Sequence, residues 1–244
     1  MSPPAAPPEA PAYRLTVEQV RLETASARTL RLGLPPGATL RFQPGQFMLV
    51  SSLEEPARKL AFSLASSPLE AGWVEVTVGS GGGTGRPLLE AREGDVLEAR
   101  GPYGRFTLDE RAPESVFLFG GTGAAPLRSM LRYALDKSLP MRLNALGSFR
   151  TPADVLYRSE WAEFASRGAR VHLSVTRLEA GADAAWTGGR GRLTPATVAS
   201  IVPGWRGAVH YLCGPERMVA DLTEGLAAMG VPREAIRCER RGEY

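Results

Sequence analysis

The sequence predicts two domains, an antiparallel β-barrel over residues 13–110 and an α/β domain on a parallel sheet over residues 111–244. Three observations predict this. Residues 13–108 read as short β-rich segments separated by Pro-Gly, Glu-Gly and Gly-Asp turn signals, the grammar of a small barrel. From residue 115 onward, apolar strands alternate with helical stretches, which implies right-handed crossovers and a parallel sheet. The rhythm changes across the polar stretch Arg111–Glu114, where one grammar gives way to the other.

The elements follow in order. Residues 1–12 carry five prolines and no large apolar side chain beyond Met1, and they lack the cationic start and apolar core of a signal peptide, so they read as an extended lead-in. Strands are predicted at Tyr13–Arg21, Thr29–Leu34, Gln46–Ser51, Leu60–Ser66, Trp73–Gly79 and Asp95–Arg100, because each is β-branched, aromatic or alternating. One short helix is expected at Arg86–Ala91. The second half opens with the apolar strand Ser115–Phe119, a glycine cluster and a helix at Pro126–Leu135. Strand Met141–Gly147, helix Asp154–Ser166 and strand Arg170–Thr176 come next. Helix Pro195–Ile201, strand Ala208–Cys213, helix Glu216–Met229 and strand Ile236–Glu239 complete the alternation.

Composition narrows the function. Hydrophobic residues make up 43% and charged residues 23%, enough for two packed cores. The net charge of +3 is spread along the chain without a Lys/Arg block. That balance suits anionic cofactors or an acidic protein partner and gives no footprint for nucleic acid. The two cysteines, Cys213 and Cys238, cannot supply a four-thiolate zinc site or an iron–sulfur cluster, so no metal is expected. No apolar run reaches membrane-spanning length, and the expected location is the cytoplasm.

The glycine cluster Gly120-Gly121-Thr122-Gly123-Ala124-Ala125-Pro126 stands between a strand and a helix. Glycines there let the backbone approach a pyrophosphate, towards which the next helix points its free N–H groups. Gly121, Thr122, Gly123, Ala124 and Pro126 are the candidate contacts, with Pro126 suited to a first helical turn. A dinucleotide site for NAD expects a carboxylate at the end of the following strand, to hold the ribose hydroxyls. This strand ends in Ser148-Phe149-Arg150 instead, and the next in Thr176-Arg177. Ser148, Arg150, Thr176 and Arg177 fit a 2′-phosphate, which favours NADP(H) over NAD(H).

Taken in order, Phe42–Phe47, Phe62–Pro68, Gly101–Phe106, Gly120–Pro126 and Cys213-Gly214-Pro215 resemble the motifs of the ferredoxin–NADP reductase superfamily. The resemblance covers nearly the whole chain after Tyr13. It implies FAD on the barrel, with Phe62 beside the flavin ring and Ser63 near flavin N5. Leu64 and Ala65 complete that flavin motif. It also implies a phosphate-binding run at Gly83, Thr84, Gly85 and Arg86, and Cys213 with Gly214 and Pro215 beside the nicotinamide. Ser63, Cys213 and Glu239 would form the catalytic set, and Tyr244 would stack on the flavin in place of the aromatic usual at Arg241. One family residue is missing. Leu60 stands where an arginine usually grips the pyrophosphate, which leaves that contact to Arg58, Lys59 or Arg86 and keeps FMN or looser FAD retention open.

The activity implied is transfer of hydride from NAD(P)H to FAD and of electrons onward to an external acceptor. Ferredoxin, flavodoxin and an oxygenase component are the candidate partners. A second reading is a non-catalytic flavin-holding subunit of a larger redox complex, which the complete nicotinamide-side motifs disfavour. A third, an oligonucleotide-binding barrel, lacks the aromatic and basic surface it would need.

Overall fold

A computed structural model describes residues 10–80, 86–178 and 185–239. The first half forms an antiparallel sheet from β1 (Ala12–Thr24), β2 (Ala27–Gly33), β3 (Phe47–Ser52), β4 (Leu60–Ser63), β5 (Trp73–Gly79) and β6 (Val96–Tyr103), with α1 (Arg86–Leu89) between the last two. The strand order is β4-β3-β6-β1-β2-β5. Beyond Ser63 the chain leaves β3: Leu64 bridges Val76, and the Ala65 N–H donates to the Glu75 carbonyl at 2.8 Å. That crossing joins the two edge strands and closes the sheet into a barrel, so β4 stops at Ser63 where the sequence predicted Ser66. Inward residues such as Leu15, Leu30, Met48, Val50, Val76 and Leu97 fill it.

The second half is a parallel sheet of β7 (Glu114–Gly120), β8 (Arg142–Phe149), β9 (Arg170–Val175), β10 (Gly189–Arg190), β11 (Val209–Cys213) and β12 (Ile236–Cys238), in the order β10-β9-β8-β7-β11-β12. Central β7 is buried along its whole length, and its two faces serve two cores. Phe117 and Phe119 pack against α2 (Ala124–Asp136) and α3 (Glu160–Ser166), while Val116 and Leu118 pack with residues of α4 (Pro195–Ile201) and α5 (Glu216–Ala228). Helices on both faces of a parallel sheet make the doubly wound arrangement expected.

In the parallel half two further elements differ from expectation. The helix predicted over Asp154–Ser166 begins only at Glu160. After a single 3₁₀ turn at Pro152–Asp154 the chain extends at Val155, and Tyr157 takes the left-handed region at φ 53°. That conformation carries the Tyr157 ring into the junction between the halves, so tertiary contact overrides helical periodicity. The two-residue strand β10 was not predicted, since Gly-Arg has no strand signal of its own.

Candidate active site

Three predicted side chains meet where the two sheets face each other. Ser63 ends β4, Cys213 ends β11, and Glu239 follows β12 with its N–H donating to the Leu212 carbonyl at 3.0 Å. The Ser63 hydroxyl donates to Glu239 at 3.0 Å (Oε1) and 3.3 Å (Oε2), and the Cys213 thiol donates to Oε2 at 2.8 Å. One carboxylate therefore collects a hydroxyl from the barrel and a thiol from the parallel domain. Sequence order alone could not have aligned them, since Ser63 and Glu239 lie 176 positions apart.

The strand before Glu239, β12, is tied down separately. Arg237 Nη2 lies 2.9 Å from Asp109 Oδ2 and its Nη1 donates to the Tyr211 hydroxyl at 3.4 Å, while that hydroxyl accepts the Asp109 N–H at 2.8 Å. The Arg111 N–H and then Arg237 hold the Asp109 carboxyl below the usual carboxylate range. Arg237 was not anticipated, since an isolated arginine in a short strand gives no signal.

The glycine cluster sits beside Cys213. Gly121 has φ 54° and open space on the side where a Cβ would project, and Gly121 is exposed with Thr122 half-buried beside it. A Cβ on Gly123 would lie 2.2 Å from the Cys213 carbonyl oxygen, so only glycine lets α2 start against the end of β11. The first turn of α2 carries no acidic residue. An open backbone at a helix start without a competing carboxylate fits a dinucleotide phosphate. Gly214 and Pro215 follow Cys213 at the same edge, and a Cβ on Gly214 would sit 3.0 Å from the Gly120 nitrogen. Ala124 and Pro126 are buried, so they shape the loop instead of presenting a surface to a ligand.

At the carboxyl edge of β8 and β9, the Arg177 N–H donates to the Arg150 carbonyl at 2.7 Å and the Thr176 N–H to the Phe149 carbonyl at 3.0 Å. Arg150 and Arg177 are thereby neighbours, both exposed, with half-buried Ser148 just before them. Sequence reasoning missed exposed Arg190, which β10 brings to this edge by pairing with Val175. The Gly-Gly-Arg-Gly run around it marks a turn, and only the sheet order reveals where that turn lies.

On the barrel, half-buried Phe62 pairs with Met48 across β3, and Leu60 pairs with Val50. Leu64 and Ala65, expected as part of the flavin motif, are both fully buried, one in each core, and the Ala65 backbone groups are bonded within the protein. Of the cations near Leu60, Arg58 pairs with Glu55 at 3.2 Å, and Lys59 lines a cavity with Arg14 and Arg100. Gly83, Thr84, Gly85 and Tyr244 lie outside the described residues, as does the Arg86 side chain. Among the described residues, no helix is long and apolar enough to cross a membrane.

Comparison with known proteins accords with this geometry. The profile of the oxidoreductase FAD-binding domain matches residues 14–108, and that of the oxidoreductase NAD-binding domain matches residues 117–224. Ferredoxin--NADP reductase B of Sorangium cellulosum is 32% identical over 95% of this chain and 98% of its own length. The ferredoxin--NAD(+) reductase component of an alkene monooxygenase system of Xanthobacter autotrophicus is 30% identical over 96% of this chain and 69% of its own. Several other relatives are longer; the chain spans 52% of an NADPH oxidoreductase of Mycobacterium tuberculosis. Among solved structures, the Amycolatopsis cytochrome P450 reductase GcoB superposes with a TM-score of 0.81 at 28% identity, covering 94% of this chain and 69% of that one. The FAD/NAD-binding domain of a nitric oxide dioxygenase from Vibrio cholerae, at 20% identity and a TM-score of 0.80 over 93% of this chain and 97% of its own, shares the fold. The chain belongs to the FAD/NAD(P)-binding oxidoreductases of the ferredoxin–NADP reductase superfamily.

Proposed function

We propose that this protein takes hydride from NADPH, in preference to NADH, at an FAD held on the barrel, and delivers electrons to a separate acceptor protein. The observation that carries the reading is the Glu239 carboxylate, bonded at once to Ser63 of the barrel and Cys213 of the parallel domain. FAD, when bound, supplies a two-electron acceptor that can release electrons one at a time. The chain's own residues supply placement. Phe62 offers a ring for stacking, Ser63 a hydroxyl for flavin N5, and Cys213 a soft sulfur with no side chain following it at Gly214. Glu239 holds both polar groups in register and gives the Ser63 proton a defined acceptor. Gly121–Gly123 and the start of α2 receive the nicotinamide nucleotide's pyrophosphate.

The NADPH preference rests on Ser148, Arg150, Thr176 and Arg177, with Arg190 beside them, because guanidinium groups suit a 2′-phosphate. The names of relatives include both NADP and NAD(+), so this choice depends on the residues. The two domains meet between residues 110 and 111. A ferredoxin, a flavodoxin or an oxygenase component is the acceptor, in keeping with the names of the relatives and the mild positive charge. Cys213 and Cys238, which are not joined in a disulfide, suit the cytoplasm. Stopped-flow mixing of flavin-loaded wild type and Cys213→Ala with NADPH tests the reading. The variant keeps its flavin and is reduced at least tenfold more slowly; equal rates would overturn the role given to Cys213.

A further inference from the structure

Behind the candidate site lies a buried charge cluster that the proposed chemistry does not use. Arg128, in the second turn of α2, is 1% exposed. Its Nε and Nη2 donate to both carboxylate oxygens of Glu160, at 2.7 and 2.8 Å, in the fork geometry peculiar to arginine. Its Nη1 crosses to the barrel and donates to Glu75 Oε2 and to the Ala65 carbonyl, each at 2.8 Å. The guanidinium lies over the Tyr157 ring, 4.6 Å from its centroid. Glu75 is also bonded by Arg31 at 3.2 Å and approached by Arg21 at 3.6 Å, and Arg21 pairs with Glu23 at 2.7 Å.

Arginines 21, 31 and 128 thus face glutamates 23, 75 and 160, a balanced set drawn from both domains. The hydroxyl of Tyr157 bonds Thr77 of β5, and its N–H donates to Glu23 at 3.0 Å, so the barrel holds this residue in its left-handed conformation. Beside Arg128, the Ser129 hydroxyl donates to the Ser66 carbonyl at 2.6 Å. These bonds connect particular pieces of chain. Ala65 and Ser66 follow Ser63 by two and three residues, and Arg128 and Ser129 stand one turn beyond the glycine loop. The flavin-side hydroxyl and the nicotinamide-side loop are therefore joined by two hydrogen bonds and one turn of helix.

Replacing buried ion pairs with apolar groups often leaves stability unchanged or raised, so stability alone does not explain such a cluster. Direction does. A salt bridge forked on one side and crossing to a carboxylate and a carbonyl on the other tolerates one relative placement of the domains. We propose that Arg128 is a positioning residue for hydride transfer, fixing the glycine loop and Cys213 edge against Ser63 through Glu75, Glu160 and the Ala65 carbonyl. This rests on the two-cofactor reading above, and it adds that the distance between the two reacting rings is set from the buried side of the junction. Misplacement by about 1 Å can cost on the order of a hundredfold in rate with little change in binding.

The test compares flavin-loaded wild type with Arg128→Lys, Ser129→Ala and the paired variant Glu75→Gln/Arg128→Met. The pair removes one charge of each sign and leaves no lone buried carboxylate at position 75. Thermal midpoint, flavin content, NADPH dissociation constant, flavin reduction rate and the long-wavelength charge-transfer absorption of the stacked complex are measured for each. The proposal expects NADPH affinity within about threefold of wild type, with flavin reduction slowed at least tenfold in Arg128→Lys and in the pair. It expects about threefold slowing in Ser129→Ala, and weakened charge-transfer absorption in all three. Reduction rates within twofold of wild type in every variant that folds, Ser129→Ala included, would overturn it. Failure of the wild type itself to be reduced by NADPH would instead overturn the hydride-transfer reading.

Discussion

Gly123→Ala is a one-carbon perturbation whose size can be worked out beforehand. Gly123 has φ −61° and ψ −11°, ordinary helical values, so alanine meets no backbone strain there. The cost is steric. The new Cβ would lie 2.2 Å from the Cys213 carbonyl oxygen, 2.4 Å from its carbonyl carbon and 2.6 Å from the Gly214 nitrogen. All three are backbone atoms of a strand end, which no side-chain rotation can move aside. Relieving the clash requires α2 and the end of β11 to separate, a small-to-large cost of about 1–3 kcal/mol. For a chain of this size that lowers the thermal midpoint by roughly 2–12 °C. If about 1.4 kcal/mol of it falls on the nucleotide-binding geometry, NADPH affinity drops roughly tenfold. Gly207→Ala is the control, because no atom lies within 4 Å of its Cβ, and it should stay within about 0.5 kcal/mol of wild type. The assay is a thermal melt followed by an NADPH titration of the flavin-loaded protein. A Gly123→Ala variant matching the control in both would refute the close approach of the loop to Cys213.

Three further outcomes are expected. Glu239→Gln weakens the acceptor shared by Ser63 and Cys213, and anaerobic stopped-flow should show slower flavin reduction, by tenfold or more, with flavin content unchanged. Arg150→Ala and Arg177→Ala should each raise the NADPH dissociation constant about tenfold, as loss of a charge-assisted bond implies, while NADH affinity stays constant. Burial pushes the Glu75 carboxyl up, but the attraction of Arg128 and Arg21 and the bonds from Arg128 and Arg31 outweigh it and hold it below its ordinary 4.5. A depressed carboxyl contributes stability that is complete above pH 4.5 and disappears as pH falls through the lower folded value. Thermal midpoints across about pH 3 to 7 should therefore fall on the acid side in wild type and change less in Glu75→Gln.

The barrel and the parallel domain were legible because period-two strands and strand–helix alternation are local patterns. The three residues of the candidate site were legible through motifs, although only the structure shows that one carboxylate joins them. The interdomain cluster was not legible, for a physical reason. In Trp73-Val-Glu-Val-Thr-Val the alternation aims Glu75 and Thr77 away from the barrel core, which in an isolated barrel means water. Here that outer face is covered by α2 and Tyr157, so both residues are buried. The same contact explains the shortened α3, since Tyr157 leaves helical geometry to reach Thr77. The motif alone does not show that Leu64 and Ala65 are buried: where the barrel closes, Leu64 turns into the barrel core and Ala65 into the core shared with α2.

The most direct measurement is the visible spectrum of the purified protein, recorded before and after anaerobic mixing with NADPH and, separately, with NADH. A yellow protein, or one made yellow by added FAD, that is bleached by NADPH and more slowly by NADH is the predicted result. A colourless protein that no flavin reconstitutes, or a flavin that neither nucleotide reduces, would contradict hydride transfer at the Ser63–Glu239–Cys213 junction.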